Sequence, residues 1–585
     1  MKKIIFTMFI LLSFIPLQGQ NLYINEIITS NTNVITDDDG SYEDWVELYY
    51  TGSEAFNLEG YGLSDDVTVP YKWVFPEYWI EPGQHLLIWC SDKNRTDINF
   101  PLHTNFKISS GGEVITLTKP NGEVQDSYPA IIIPQNYTYG RQTDGSSILV
   151  YFPIPTPGAT NNSETGYNEI LSQPTFSVDG GFFTQSFNLS ISHPDPQVTI
   201  VYTLDGSDPD DLNLSGTTYN YKNQYVQIPG QTDGPFLQNN FQSNSYSSPI
   251  VIADRTNQPN DLAKMSTTNS NNPTYIPDFS VLKGTVVRAR AYKAGALMSP
   301  IVTQTYFVFP NGVNTFSTPV VSISLSENKF FDYDNGIFVA GKDFDDWRNA
   351  NPTTPIEEDF LYTANYSRRG DDTEQVGNLS YFVNGNQVIN QNVGFRLHGN
   401  FTRTFESKSI RLYARSEYGA STFNYPFFAG NSYSSFKRLI LRNSGNDFYR
   451  TMYRDALAQQ IVKHMRCNIQ DYQPTVTFLN GEYWGILNIR ERFDKHYFER
   501  VYGIGELELD ILEDEAEVQE GDSEHYNNMI SFVSNNSLAN EANYDYIKTQ
   551  MDTDNFIDYN VVEMYLANQD WPGNNVSYFR KKNSY

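Results

Sequence analysis

The stretch TVTFLNGEYWGILNIRERF, residues 475–493, decides how the C-terminal half of this chain folds. Two runs rich in alternating apolar residues flank Asn480-Gly481. Asparagine and glycine tolerate the positive φ angles of a two-residue hairpin turn, so the stretch predicts a β-hairpin. On its second strand Leu487, Ile489 and Phe493 share a face, and Glu491 falls among them. Around the hairpin, NVGFRLHGN (392–400), SKSIRLYAR (407–415) and KRLILRN (437–443) also read as strands. MYRDALAQQIVKHM (452–465), HYNNMISFVSNN (525–536) and DNFIDYNVVEMYLANQ (554–569) read as helices. Strands followed by helices predict an α+β domain from about residue 318 onward.

Upstream the pattern is all-β. Residues 22–150 carry short strand-type runs such as DWVELYY (44–50) and HLLIWC (85–90), and GEVITLTKPNGEV (112–124) predicts a hairpin turning at Asn121-Gly122. An antiparallel sandwich is the physical reading. FPIPTPGATNNSETG (152–166) reads as a linker. A second β module spans 170–310, through PTFSVDGGFF (174–183), VTIVYTLDGSDPD (198–210) and GTVVRARAYKAG (284–295). Within it, residues 212–280 form a long polar insertion with little periodicity, expected to be a mobile surface loop. Asp205 and Asp208 belong to turn dipeptides rather than to a catalytic pair.

With 585 residues the chain needs several cores. Its formal charge of −29 disfavours nucleic acid as a partner and leaves divalent cations and basic substrates open. MKKIIFTMFILLSFIPLQGQ, residues 1–20, has the basic start and short apolar run of a secretory signal peptide, which implies a secreted or cell-surface protein. No later segment is apolar enough to span a membrane. The two cysteines, Cys90 and Cys467, are too few for a disulfide framework or a cysteine metal site. Asp37, Asp39 and Asp44 are candidate Ca2+ ligands or a solvated turn; the run lacks the closing glutamate of an EF-hand.

GIFVAGKD (336–343) nearly fits a phosphate-binding loop, but Asp343 stands where a hydroxyl belongs and the interior is apolar, as in a strand. A different spacing carries chemistry. In NQDWPGNNVSYFRKK (568–582) Asp570 precedes Asn575 by five residues, as in protein-kinase catalytic loops, where the aspartate accepts the substrate proton and the asparagine holds magnesium. The preceding helix is expected to be packed through Phe556, Val562, Met564, Tyr565 and Leu566, with Asp570 at its exit, where the helix dipole disfavours an acid. The competing reading is a polar turn. In SKSIRLY, Lys408 shares a face with Ile410 and Leu412. Lys408 and Glu491 thus each need a partner, or reach solvent at a strand end.

Three resemblances cover most of the chain. INEI (24–27), DDDGSYEDWVEL (37–48), NLEGYGLSDD (57–66), KWVFP (72–76) and LHTNFKISSGGEVITL (102–117) resemble the bacterial lamin-tail domain, an immunoglobulin-like sandwich. YTLDGSDP resembles the small β-sandwich at the C-terminus of chitobiases. GIFVAG (336–341), FRLHGNFTRTFESKSIRLYAR (395–415), LRNSGND (441–447), YRDALAQQI (453–461), FLNGEYWGILNIRERFDKHYF (478–498), DILEDEAEVQEGD (510–522) and NQDWPGNNVSYFR (568–580) resemble the CotH kinase family.

The expected fold is therefore two immunoglobulin-like sandwiches followed by an α+β atypical kinase-like domain over 318–585. The CotH resemblance implies ATP- and Mg2+-dependent phosphoryl transfer to protein hydroxyls. It implies Asp570 as catalytic base, Asn575 as magnesium ligand with Asn574 as substitute, and Lys408 paired with Glu491 at the nucleotide phosphates. Arg396, Asn400 and Arg403 flank the Gly-Asn turn and are candidates to hold phosphate oxygens. The family continues to a Trp- and Asp-containing strand that supplies a second metal ligand, and this sequence reaches Tyr585 before such a motif. The acidic run Glu506–Asp522 reads as a solvated face or as an attractor for a basic protein substrate. The alternative reading is a non-enzymatic surface scaffold, binding glycans or adhesion partners, with a degenerate kinase fold. A polysaccharide-processing enzyme, by association with the chitobiase-like module, is a third.

Overall fold

The computed structural model describes residues 21–161, 165–356 and 363–582; the signal-peptide stretch lies outside them. The chain divides into two compact units, residues 1–171 with 293–298 and residues 172–292 with 299–585.

In the first unit a six-stranded sheet runs in the order Leu149–Phe152, Thr138–Arg141, Leu22–Ile28, Asp44–Tyr50, His85–Cys90, Leu102–His103. A four-stranded sheet contains the predicted hairpin Ile115–Thr118 and Val124–Tyr128. Both contribute to one core through Ile24, Val46, Leu48, Ile88, Leu63, Trp73, Ile115 and Leu117. Cys90 is buried and Cys467 half-buried, both as free thiols. The stretch expected as a linker is pinned to this unit. Thr156 donates from its N–H and hydroxyl to the Glu26 carboxylate, Gly158 N donates to Glu47 Oε2 at 2.6 Å, and Asn161 N donates to Asp144 Oδ1. Glu26 and Glu47 are directly opposed cross-strand neighbours and fully buried. Composition marked this stretch as coil, but its polar groups are what two buried carboxylates require as donors.

In the second unit a five-stranded sheet is ordered Gly181–Phe183, Val302–Val308, Thr285–Tyr292, Thr199–Thr203, Asn244–Ser245. The following strands form a closed seven-stranded barrel: Val320–Ser324, Gln375–Val383, Asn386–His398, Ser409–Tyr413, Arg438–Arg442, Glu482–Glu491 and Tyr472–Leu479. Its first and last strands close it in parallel, and the other pairs are antiparallel. The predicted hairpin forms as read: Asn480 and Gly481 both have positive φ, and a Cβ on Gly481 would meet the Gly284 carbonyl oxygen at 2.6 Å.

The insertion 212–280 is not a loose loop. Thr217–Tyr221 pairs with Leu237–Phe241, and Tyr219, Tyr221, Tyr225, Leu262 and Met265 are buried in the same hydrophobic cluster as the barrel interior. Its tyrosines, with Leu262 and Met265, supply the apolar area that its polar composition conceals. The insertion is also tied by polar contacts. Glu482, on the barrel hairpin, accepts from the N–H groups of Asp261, Leu262 and Ala263 at 2.7, 3.0 and 2.8 Å. Lys222, buried, pairs with Asp233 and Asp345.

Outside the barrel lie helices Arg454–Ile461, Lys495–Tyr502, Glu524–Asn535, Glu541–Gln550 and Thr553–Tyr565. The expected strand at GIFVAGKD does not form. Ile337–Ala340 are buried as irregular chain and a helix begins at Gly341, whose N–H donates to the Tyr225 hydroxyl. Among the described residues no helix is long and apolar enough to cross a membrane.

Candidate active site

Strand alternation sorts four neighbouring barrel strands into an apolar inner face and a basic outer one. Leu397–Ile410–Leu441–Ile489 and Phe395–Leu412–Leu439 are cross-strand rows inside the barrel. The same registers put Arg396, Arg411 and Arg490 on one outer row, with His398, Arg442, Tyr413, Arg438 and Arg492 beside it. Most of these arginines are neutralised. Arg396 binds Glu374 and Asp371, Arg438 and Arg492 face Asp494, and Arg442 and Arg490 share Asp455 at the start of helix Arg454–Ile461.

Lys408 and Glu491 lie on the inner face, as strand parity predicts, but they do not pair. Lys408 is buried with its Nζ donating to the carbonyls of Arg403 at 2.5 Å and Phe405 at 3.1 Å, over the Tyr366 ring. Burial drives its pKa well below the ordinary lysine value. Glu491 instead binds Arg500 of helix Lys495–Tyr502 at 2.6 Å. The registers Leu412↔Leu439↔Glu491 set Glu491 four residues along the strand direction from Lys408, roughly 13 Å, and two strands away. The expected ion pair is therefore corrected to two separate contacts, each partner satisfied close to its own strand.

The residues proposed from the Gly-Asn turn are likewise occupied. Arg403 spends its guanidinium on the carbonyls of Gly399, Leu397, Arg368 and Tyr366, and burial lowers it to about 10. Asn400 accepts from Arg369. Arg396, Asn400, Arg403 and Lys408 thus do not converge on one anion position here.

Asp570 lies on the exposed surface. Its Oδ2 accepts from the Asn575 amide at 2.7 Å and its Oδ1 from Asn574 at 3.1 Å, and all three residues are exposed. The structure therefore brings the predicted triplet together. Two supporting expectations fail. Helix Thr553–Tyr565 ends five residues before Asp570, so the helix dipole does not bear on it. Of the apolar face expected to be packed, only Val562 is buried; Phe556, Met564 and Tyr565 are exposed and Leu566 is half-buried.

The loop is anchored on its C-terminal side. Strand Ser577–Lys581 pairs with Leu509–Glu513, and Asp514 exchanges hydrogen bonds with Val576. The acidic run is partly neutralised: Lys495 binds Glu506, and Lys582 binds Asp510 and Asp522.

The acidic turn of the first unit is arranged differently from the expected Ca2+ set. Lys93 pairs with Asp37 and with Asp39, and Arg95 pairs with Asp39 and Asp38. The lysine and arginine contacts lower Asp39 to about 2. Asp44 accepts from the Asn31 N–H instead, and burial raises it to about 7. The residues whose ligand atoms do converge are Asp37, Asp38 and His103, all within 4.8 Å of one another. Lysine and arginine already fill the cation position beside them. In the second unit Asp208 pairs with Arg288, and Asp205 caps Ser207, both as turn residues.

Comparison with known families matches three segments. Residues 395–585, about a third of the chain, match the CotH kinase protein family. Residues 17–131 match the Lamin Tail Domain and residues 189–306 the Fn3 associated family. Among curated proteins no relative matches the chain. The CotH match takes in Asp570, Asn574, Asn575, Lys408 and Glu491, and the Fn3 associated match takes in the whole of the insertion 212–280.

Proposed function

We propose that the second unit is an exported atypical protein kinase of the CotH type, which transfers the ATP γ-phosphoryl group to a protein hydroxyl. On this reading the first unit and the Fn3 associated module are immunoglobulin-like sandwiches, the first serving surface attachment or binding. The observation that carries the proposal is the Asp570 carboxylate holding the Asn575 amide at 2.7 Å in an exposed loop inside the CotH-matching segment.

The donor set fits a magnesium nucleotide. With its Nδ2 donating to Asp570, the Asn575 side-chain oxygen is left for a hard cation, and carboxylate and amide oxygens are what Mg2+ prefers. Bound magnesium would neutralise charge between β- and γ-phosphates. Asp570 then orients the acceptor hydroxyl and takes its proton as the new O–P bond forms and the bond to the ADP oxygen breaks. Asn574, donating to the other carboxylate oxygen, helps fix the Asp570 side chain within the loop.

The second reading, a non-enzymatic scaffold, draws support from the separation of Lys408 and Glu491 and from the commitment of Arg403 to backbone carbonyls. Incubation with labelled ATP, Mg2+ and a panel of basic and acidic protein acceptors decides between them. Asp570→Asn should abolish transfer and leave thermal stability within about 0.5 kcal/mol of the parent, as for an exposed position. Transfer that survives the substitution would refute the assignment of Asp570, and no transfer by the parent protein would favour the scaffold.

A further inference from the structure

Among the described residues, one arginine on the outer face of the barrel makes no ion pair. Arg411 donates from Nε to His398 Nδ1 at 3.1 Å and lies beside the Tyr413 hydroxyl, but it makes no ion pair. Each neighbouring arginine of that face, Arg396, Arg438, Arg442, Arg490 and Arg492, has a carboxylate within 4.0 Å. Because His398 accepts at Nδ1, its neutral ring carries the proton on Nε2, a further donor with no hydrogen-bond partner among the described residues. Arg492 donates to the Tyr413 hydroxyl at 3.1 Å, beside Arg411. A half-buried guanidinium left unneutralised in a chain of formal charge −29 is costly unless an anion completes it.

We propose that Arg411, His398, Arg442 and Arg492 form an oxyanion cradle that takes a phosphate group of a phosphate chain. Burial pushes both Arg411 and His398 below their ordinary values, with Arg492 acting on Arg411 and with Arg411, Arg442, Arg492 and Arg403 on His398, as expected of a guanidinium and a neutral imidazole packed among cations. Glu513, at the end of strand Leu509–Glu513 in a separate three-stranded sheet, acts electrostatically on Arg411 and Arg492. Among the described residues it makes no ion pair, and burial and Asp514 raise its pKa against the pull of Arg411 and Arg492. Glu513 is the register partner of Ser577, two residues past Asn575, so the cradle and the Asp570 loop approach each other across the Leu509–Glu513 strand. The assignment of the phosphate chain to the transferred nucleotide rests on the proposed kinase function; the cradle itself does not.

The test is calorimetric titration of the full chain with inorganic tripolyphosphate, ATP and adenosine. Tripolyphosphate and ATP should bind and adenosine should bind far more weakly. Arg411→Met should weaken both polyanions about tenfold or more, since charge-assisted contacts of a guanidinium fork are lost. Glu513→Gln, which removes a like charge facing the ligand, should strengthen them. Arg411→Lys keeps the charge without the fork and should be intermediate, and it reports on the cradle even where the methionine variant folds poorly. Failure of tripolyphosphate to bind, or equal affinity in parent, Arg411→Lys and Glu513→Gln, overturns the cradle. Tripolyphosphate binding without phosphoryl transfer upholds the cradle as a free-polyphosphate site and removes the kinase reading. Transfer with ATP affinity indifferent to Arg411 does the reverse.

Discussion

Replacing Glu482 by alanine tests whether the 212–280 insertion is integral to the barrel. The Glu482 carboxylate is 5% exposed and gathers three backbone N–H groups, from Asp261, Leu262 and Ala263. Leaving a buried donor unsatisfied costs about 1–3 kcal/mol, so three donors set a ceiling near ~9 kcal/mol. The polar cavity beside them, lined by Asp205, Arg255, Lys283 and Glu327, gives water access to part of that set. A loss of about 3–5 kcal/mol is therefore expected, a large share of the ~5–15 kcal/mol that stabilises a domain. Glu482→Gln keeps one acceptor oxygen and should lose about 1–2 kcal/mol. Urea unfolding followed by tryptophan fluorescence gives the energies, and amide exchange across 212–280 gives the location. If the alanine variant unfolds at the parent midpoint and exchange across the insertion is unchanged, the three contacts do not anchor it. The reading of this segment as part of the barrel core would then be lost.

Two further outcomes follow from buried charges. Burial, with Glu26 adding, raises Glu47 to about 8, so between the ordinary carboxylate range and 8 the folded unit holds a proton that the unfolded chain has released. Stability of the first unit should therefore fall as pH rises from about 5 to about 8, and Glu47→Gln should flatten that fall in thermal melts; an unchanged slope would place the proton elsewhere. Lys408→Met strands the Arg403 and Phe405 carbonyls that Nζ now satisfies, so it should destabilise the second unit by about 1–3 kcal/mol. Loss of ATP binding with unaltered stability would instead give Lys408 a direct role in the site.

The parts of the fold that could be read in advance are those where a local rule acts alone. Asn480-Gly481 forms a two-residue turn with both φ positive, and in the hairpin loop between Thr118 and Val124 Gly122 takes the positive φ. Alternation put Ile410, Leu412, Leu487 and Ile489 inside the barrel. The insertion and the 152–166 stretch differ from expectation because their polar, Pro- and Gly-rich composition and weak periodicity hide their long-range contacts. Tyr219, Tyr221 and Tyr225 bury large rings, and Thr156 and Gly158 serve carboxylates that lie about a hundred residues away in sequence. Barrel closure is non-local in the same way. It depends on a parallel pairing of Val320–Ser324 with Tyr472–Leu479 that no short window contains.

The candidate site follows the same division. The contact of Asp570 with Asn575 is local, five residues apart, and spacing alone found it. The Lys408–Glu491 pair assumed that two charges on one face must meet. The register shows that sharing a face fixes orientation but not distance, and each charge took the nearest partner, a carbonyl pair for one and Arg500 for the other. The signal that was available and unused lay on the opposite parity. FRLH, SIRLY, KRLILR and NIRER place Arg396, His398, Arg411, Arg442, Arg490 and Arg492 at alternate positions, all opposite the apolar set. A basic face repeated on four adjacent strands of so acidic a chain needs anions to hold it together. Among the described residues, counting the acidic partners across that face leaves Arg411 without an ion pair.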